Sequence, residues 1–464
     1  MGKAALGPIR QSAQDVAARL ERIPFCGFHR RLVAVLGLGM LFDAFDVYVI
    51  SVVAVAITSF TITDATIGFI ISASYVGQLA GSLIFGYVSE VYGRKPAFTW
   101  ALGSFGLLSI VAAFSWNAES LVWARIFQGL GIGALPPIAG ALFSEFLRAH
   151  RRGRFSMLYQ ALYPVGAILS PLLGIVTFQF FDSDTAWRVL FLIGGSPLLL
   201  AIVSQHLLPE SPRWLAVHGR LSEASHIVNA MEESARADGI ALSSKPPPPP
   251  PEARQTRFLE IFSPGYRSRT ILIWTQSFTA FFIVNSFTGF LPRLYTTVGG
   301  LPASQAFALT MLFGVFELAC LVGVAFVWDR TGRKPWFVGG YVMAVVGAAL
   351  AWAAFAILHS TGWIVLATAG MFMALGTYVS VGGVYVYHPE LFPTRMRSWA
   401  TSTGRAVRSL ASIIAPALVG QILAAGLGIE TVFAMFFAVA LVGLVVVAWL
   451  GVETAEKPLE RIAI

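Results

Sequence analysis

"FDAFD" sets Asp43 and Asp46 three residues apart inside a long apolar stretch, a spacing that puts both carboxylates on one face of a helix. The same spacing holds Arg125 and Gln128 in "RIFQGLGIG" and Arg405 and Arg408 in "GRAVRS". An ionised side chain at mid-bilayer costs roughly 2.5–3.5 kcal/mol on insertion scales, so each is a functional candidate. A carboxylate facing an arginine can exchange that partner for a proton, which is the chemistry of a proton relay. Paired arginines offer a different chemistry, the fork that binds a carboxylate. Enzyme chemistry is not in view: no His-x-x-x-His, Gly-x-Ser-x-Gly or phosphate-binding loop occurs. Cys26 and Cys320 are too few and too apolar in context for a disulfide framework or a metal site.

The elements that must position these charges follow from composition. The 464 residues are 56% hydrophobic and 12% charged, about half the charge of a soluble domain. Twelve apolar runs reach the length of about 20 residues that a bilayer core requires: 31–58, 65–88, 97–116, 120–144, 155–178, 187–208, 270–292, 303–328, 336–357, 362–387, 399–424 and 430–450. They lack the alternation of a barrel, so an all-α membrane protein is expected. The first run is too long, and starts too late, to be a cleaved signal peptide.

Basic residues cluster before run 1 and in the connections 2–3, 4–5, 6–7, 8–9 and 10–11, whereas the opposite connections hold only Arg188 and Arg293. Both termini are therefore expected in the cytoplasm, and the net charge of +8 reads as an orientation signal rather than a nucleic-acid surface. The absence of an Asn-x-Ser/Thr sequon agrees with a bacterial inner membrane. The long connection 209–269 carries an amphipathic stretch, "LSEASHIVNAMEESARA", and a polyproline spacer, "SSKPPPPPPEARQ". It divides the chain into a cytoplasmic segment 1–30, a six-helix unit 31–208, the linker 209–269, a second unit 270–451 and a tail 452–464.

The two units repeat one another. "EVYGRKP" at 90 is matched by "DRTGRKP" at 329, and Glu145 with Arg152 by Glu390 with Arg397, at nearly one offset. Gly86, Glu90, Gly93, Arg94 and Lys95 resemble the connection 2–3 motif of the major facilitator superfamily. The second copy keeps Asp329, Gly332, Arg333 and Lys334 but has Ala325 in place of the first glycine. "PESPRWL" at 209 and "VETAEKPLE" at 452 are similar to segments after helices 6 and 12 in its sugar-porter-like branches. This resemblance implies twelve helices in two pseudo-symmetric bundles and alternating access around a midplane site. The charges Glu90, Arg94, Glu145, Arg152, Asp329, Arg333, Glu390 and Arg397 are expected to bond between the two halves as a cytoplasmic gate, only while the cytoplasmic side is shut. The competing reading is that they anchor helix ends to the headgroups.

Depth brings the buried charges together. At 1.5 Å per residue Asp46 lies roughly 22 Å above the inner end of run 1 and Arg125 roughly 7 Å below the outer end of run 4, levels that coincide in a core of about 30 Å. Asp43, Asp46 and Arg125 are the proton-coupling candidates, with a static buried ion pair as the alternative. Asp43-Ala44-x-Asp46 resembles an element of aromatic-acid, phosphate and niacin-like proton symporters, and "RLERIPFCGFHRR" is similar to the last group. Arg405 and Arg408 occupy the places of Gln160 and Tyr163 in the first unit; either they bind an anion, with Glu317 pairing one of them, or they snorkel to the interface. Gln276, Asn285 and Tyr378 are further candidates to line an aromatic pocket. The expected function is a proton-coupled symporter of a small organic anion such as an aromatic carboxylate, without cofactor beyond the coupling proton. The chain is expected to be a monomer in the lipid bilayer. A sugar or other neutral-solute carrier and a phosphate symporter are the alternatives; a channel would want a repeated pore motif, which is absent.

Overall fold

The computed structural model describes residues 13–57, 59–147, 162–242, 258–359 and 362–454. Within them every apolar run is a helix, because a helix satisfies its own backbone polar groups where lipid offers no partner. In chain order the membrane-spanning helices are α1 (Gly27–Ala56), α2 (Asp64–Tyr92), α3 (Arg94–Ala113), α4 (Ala118–Phe146), α5 (Leu162–Phe180), α6 (Ser183–Leu207), α7 (Arg267–Thr297), α8 (Ala303–Thr331), α9 (Lys334–Ala356), α10 (Trp363–Glu390), α11 (Thr394–Ala424) and α12 (Ile429–Leu450). No strand occurs among the described residues. The first part of run 5, 155–161, and the polyproline spacer lie outside them.

Most helix ends fall within a few residues of the apolar runs. The exceptions, α7 and α11, are each 31 residues long, because a helix continues past the charge at which an apolar run stops. Outer-end starts are capped: the side chains of Thr63, Asn117 and Asp182 accept from backbone N–H groups at the openings of α2, α4 and α6. α6 is broken into Ser183–Ile193 and Pro197–Leu207, since Pro197 has no N–H to give and follows two glycines. α2 and α4 meet backbone to backbone, and a Cβ on Gly129 would lie 3.0 Å from the Gln78 nitrogen, so a larger residue would push the helices apart.

Three shorter helices cover the cytoplasmic end of the first half: Ala13–Leu20, Pro212–Val217 and Leu221–Ala237. The last coincides with the amphipathic stretch read from sequence. Arg19 donates to Glu232 at 3.0 Å and Arg213 to Glu21 at 2.8 Å, fastening the N-terminal helix to the linker helices. A helix of eight residues is marginal in isolation, so Ala13–Leu20 owes its form to this docking, in which Val16 and Leu20, one turn apart, are buried.

The two halves meet at their outer ends and in the middle. Arg293 on α7 donates to Asp64 on α2 at 2.7 Å, and Gly68 on α2 packs against Gly420 and the Pro416 carbonyl on α11. Phe178 on α5 stacks edge to face with Phe307 on α8. At mid-depth Tyr48 on α1 bonds to Glu317 on α8 and Tyr378 on α10.

Candidate functional site

The first charged centre lies inside the N-terminal half. Arg125, 1% exposed, donates to Asp46, 2% exposed, at 2.6 Å. Gln128 locks the pair: its oxygen accepts from Arg125 at 2.7 Å and its amide nitrogen donates to the same Asp46 oxygen at 2.8 Å. Helical spacing produces this, since Arg125 and Gln128 project from one face of α4 toward α1. The second Asp46 oxygen and the Arg125 Nε have no protein partner among the described residues.

The second centre lies in the C-terminal half and faces the first. Arg405 and Arg408 on α11 line a cavity of about 100 Å³ with Ser277 and Phe281 of α7 and His388 of α10. The Arg408 guanidinium stands 4.5 Å from the centre of the Phe281 ring, a cation–π distance. Asp43, buried on α1, is under the electrostatic influence of Arg408 across the interface between halves, and more weakly of Asp46. Tyr163 on α5 is within the influence of Asp43, Arg408 and Glu317 at once. The spacing of Arg405 and Arg408 thus puts both on the cavity, and Arg408 toward a proton-coupling candidate.

Other candidates are placed differently. Glu317 does not take the arginine partner expected for it: Tyr48 donates to its two carboxyl oxygens at 2.8 and 3.0 Å. Tyr378 bonds the same tyrosine at 2.7 Å. Depth alone cannot separate these partners, because the azimuth of Glu317 around α8 decides, and it turns toward α1. Asn285 donates to Ser412 at 2.6 Å and ties α7 to α11. Gln276 does not line the cavity but bonds His388, which does, at 3.1 Å. Gln160 and Arg152 lie outside the described residues, as do the side chains of Asp329 and Arg397.

In this structure, whose halves meet at the outer end, the bonds seen among the described gate charges lie within halves. Arg94 pairs with Glu90 at 2.9 Å and Glu145 at 3.2 Å; Arg333 pairs with Glu390 at 3.2 Å. The i, i+4 spacing of Glu90 and Arg94 already favours this partner. Sequence reasoning also missed two carboxylates that cap the next helices. Glu210 accepts from the Arg94 and Lys95 N–H groups at 2.9 and 3.2 Å, and Glu453 from those of Arg333 and Lys334 at 2.9 and 3.1 Å. Gly93 and Gly332 turn the chain there at φ of +107° and +90°, and their hydrogens face these carboxylates, leaving no room for a Cβ. Burial pushes the Glu210 carboxyl up, against the pull of the Ser211, Arg94 and Lys95 N–H groups. The equivalent places of Glu210 and Glu453, each after the last helix of its half, were the available signal.

Residues 32–464 match the family described as "Sugar (and other) transporter". The chain is similar to a niacin transporter of Acinetobacter baylyi, 29% identical over 424 residues that make up 91% of this chain and 93% of the relative. It is similar to a 4-hydroxybenzoate transporter of Pseudomonas aeruginosa, 29% identical over 432 residues, 88% of this chain and 90% of the relative. Among solved structures, a partially occluded inward-open xylose transporter of Escherichia coli superposes with a TM-score of 0.73 at 20% identity, covering 93% of this chain and 99% of that one.

Proposed function

The chain belongs to the sugar (and other) transporter family of the major facilitator superfamily, and from that premise we propose that it is a proton-coupled symporter of a small aromatic or related carboxylate. It is a multi-pass transporter of the bacterial inner membrane and not an enzyme. The observation that carries the finer reading is the cavity on which Arg405 and Arg408 stand together, with Arg408 over the Phe281 ring and the buried Asp43 of α1 within reach of its charge. Ionised, Asp43 competes with a substrate carboxylate for the field of Arg408. Protonated, it leaves that field to the substrate. Proton and anion therefore bind better together than apart, which is the thermodynamic condition for symport. The Phe281 ring under Arg408 favours a flat apolar body next to the carboxylate. The transporters of niacin and 4-hydroxybenzoate support the same class.

Carriage of a sugar is the second reading, favoured by the similarity to a xylose transporter in fold. Two arginines on the cavity give a neutral solute no charge to match. The test is uptake into proteoliposomes of radiolabelled nicotinate, 4-hydroxybenzoate and xylose, with and without an inward proton gradient. Gradient-driven accumulation of either acid is expected. Accumulation of xylose with neither acid transported would replace this reading by the second.

A further inference from the structure

Glu317 is a carboxyl with 1% exposure in the middle of the bundle, and among the described residues its hydrogen-bond partners are phenol hydroxyls rather than cations. Resting on the reading above, we infer that Glu317 is a second proton-carrying carboxyl of the transport cycle, so that each substrate monoanion crosses with two protons. The groups facing it are Tyr48 from α1, Tyr378 from α10, Tyr163 from α5 and, on its own helix, Cys320. None of these carries a positive charge. A fully buried carboxylate without a cation is strongly penalised, whereas its protonated form costs no more than any hydrogen-bonded hydroxyl.

The bond from Tyr48 to Glu317 crosses between the halves, so it breaks when the outer side opens and water reaches the carboxyl. Opening and closing at mid-depth thus exchange a wet, ionisable Glu317 for a dry one that holds a proton. Charge balance ties this to the substrate. Arg125 is already matched by Asp46 inside the first half, so the cavity arginines Arg405 and Arg408 are offset by Asp43 and Glu317 when both carboxyls are ionised. Once both carboxyls are protonated, the two arginines are left to the substrate carboxylate. The proton enters Glu317 from the outer water as substrate binds and leaves to the cytoplasm after substrate departs. With Asp43 carrying its own proton, one positive charge moves inward per cycle.

The experiment measures nicotinate and 4-hydroxybenzoate uptake by the full chain in proteoliposomes under separate control of pH and of a valinomycin-set potential. With two protons per monoanion, the wild type accumulates acid at equal pH about tenfold for each 59 mV of inside-negative potential. Glu317→Gln is expected to lose the response to potential and keep the response to a pH gradient. The wild-type measurement needs no variant: pH-driven uptake that ignores the potential overturns this inference alone, and so does a Glu317→Gln protein that keeps the wild-type potential response. Uptake of neither acid under any gradient overturns the underlying symport reading, and this inference falls with it.

Discussion

Replacing Arg125 with Met removes a guanidinium that is 1% exposed and leaves Asp46, 2% exposed, beside Gln128 without its cation. Breaking a buried pair by deleting one partner costs about 3–5 kcal/mol, much of it the stranded charge. Arg125→Met should therefore lower the unfolding temperature in detergent by several degrees. Adding Asp46→Asn removes the stranded charge, and the double variant should regain most of the loss, since a buried pair exchanged for neutral groups is often near neutral in stability. Transport separates the two roles of the pair. If Asp46 only fixes the packing of α1 on α4, the double variant regains pH-driven uptake with its stability. If the pair takes part in coupling, stability returns and pH-driven uptake does not, while exchange of labelled for unlabelled acid persists. The assays are thermal unfolding by intrinsic fluorescence and uptake at matched protein density. A loss below about 1 kcal/mol in Arg125→Met would refute the burial argument itself.

Asp43→Asn should take one proton out of the cycle, so that accumulation loses its response to potential and responds less steeply to a pH gradient while exchange stays measurable; an unchanged response to both would remove Asp43 from coupling. Arg408→Gln should weaken acid binding by about 2–5 kcal/mol, as loss of one partner of a buried charge pair does, with Lys restoring only part; titration calorimetry reads both. Asp64→Asn or Arg293→Gln should loosen the outer closure and raise labelling of a cysteine placed beside Tyr48, and unchanged labelling would show that the bridge at 2.7 Å holds nothing shut. Glu210→Ala should cost about 1 kcal/mol of stability by uncapping α3, whereas Glu210→Gln should cost less, because burial already disfavours the charged carboxyl.

How far the sequence reaches is visible in single residues. Run length and charge placement located twelve helices, because lipid leaves the backbone no alternative. Counting 1.5 Å per residue put Asp46 and Arg125 at one level, and they touch. The same arithmetic misdirected Glu317, for which Arg405 and Tyr48 were equally admissible by height; rotation about the helix axis, set by packing of α8 on α5 and α10, is not written in a depth count. The gate charges were assigned across the halves for the state shut at the cytoplasmic side; in this structure Glu90 and Arg94, at i, i+4 spacing, form a local pair. Asp64 and Arg293 were invisible as partners: each is a lone charge at an outer helix end, and only the approach of α2 to α7 makes them a bridge.

The distribution of strong and weak contacts suits a molecule that must rock. Within the first half, Asp46 and Arg125 are buried together, Arg94 joins Glu90 and Glu145, and Glu210 holds the start of α3. Within the second, Arg333 joins Glu390, Glu453 holds the start of α9, and Asn285 ties α7 to α11. The polar contacts described between halves include a partly exposed bridge at the outer end, worth about 1 kcal/mol at most, and at mid-depth the hydrogen bonds of Tyr48 to Glu317 and Tyr378, each worth about 0.5–1.5 kcal/mol if the groups are neutral. Ionising Glu317 would strengthen its bond from Tyr48 while making its burial far more expensive, so the mid-depth contact is weak only while the proton is present. A cycle that closes the centre with the proton bound and opens it with the proton gone needs no other switch at that point. The repeated glycine turns fit the same division: Gly93 and Gly332 let Glu210 and Glu453 clamp their own halves, leaving rearrangement to the packing of α2 on α11 and α5 on α8 and the polar contacts between halves.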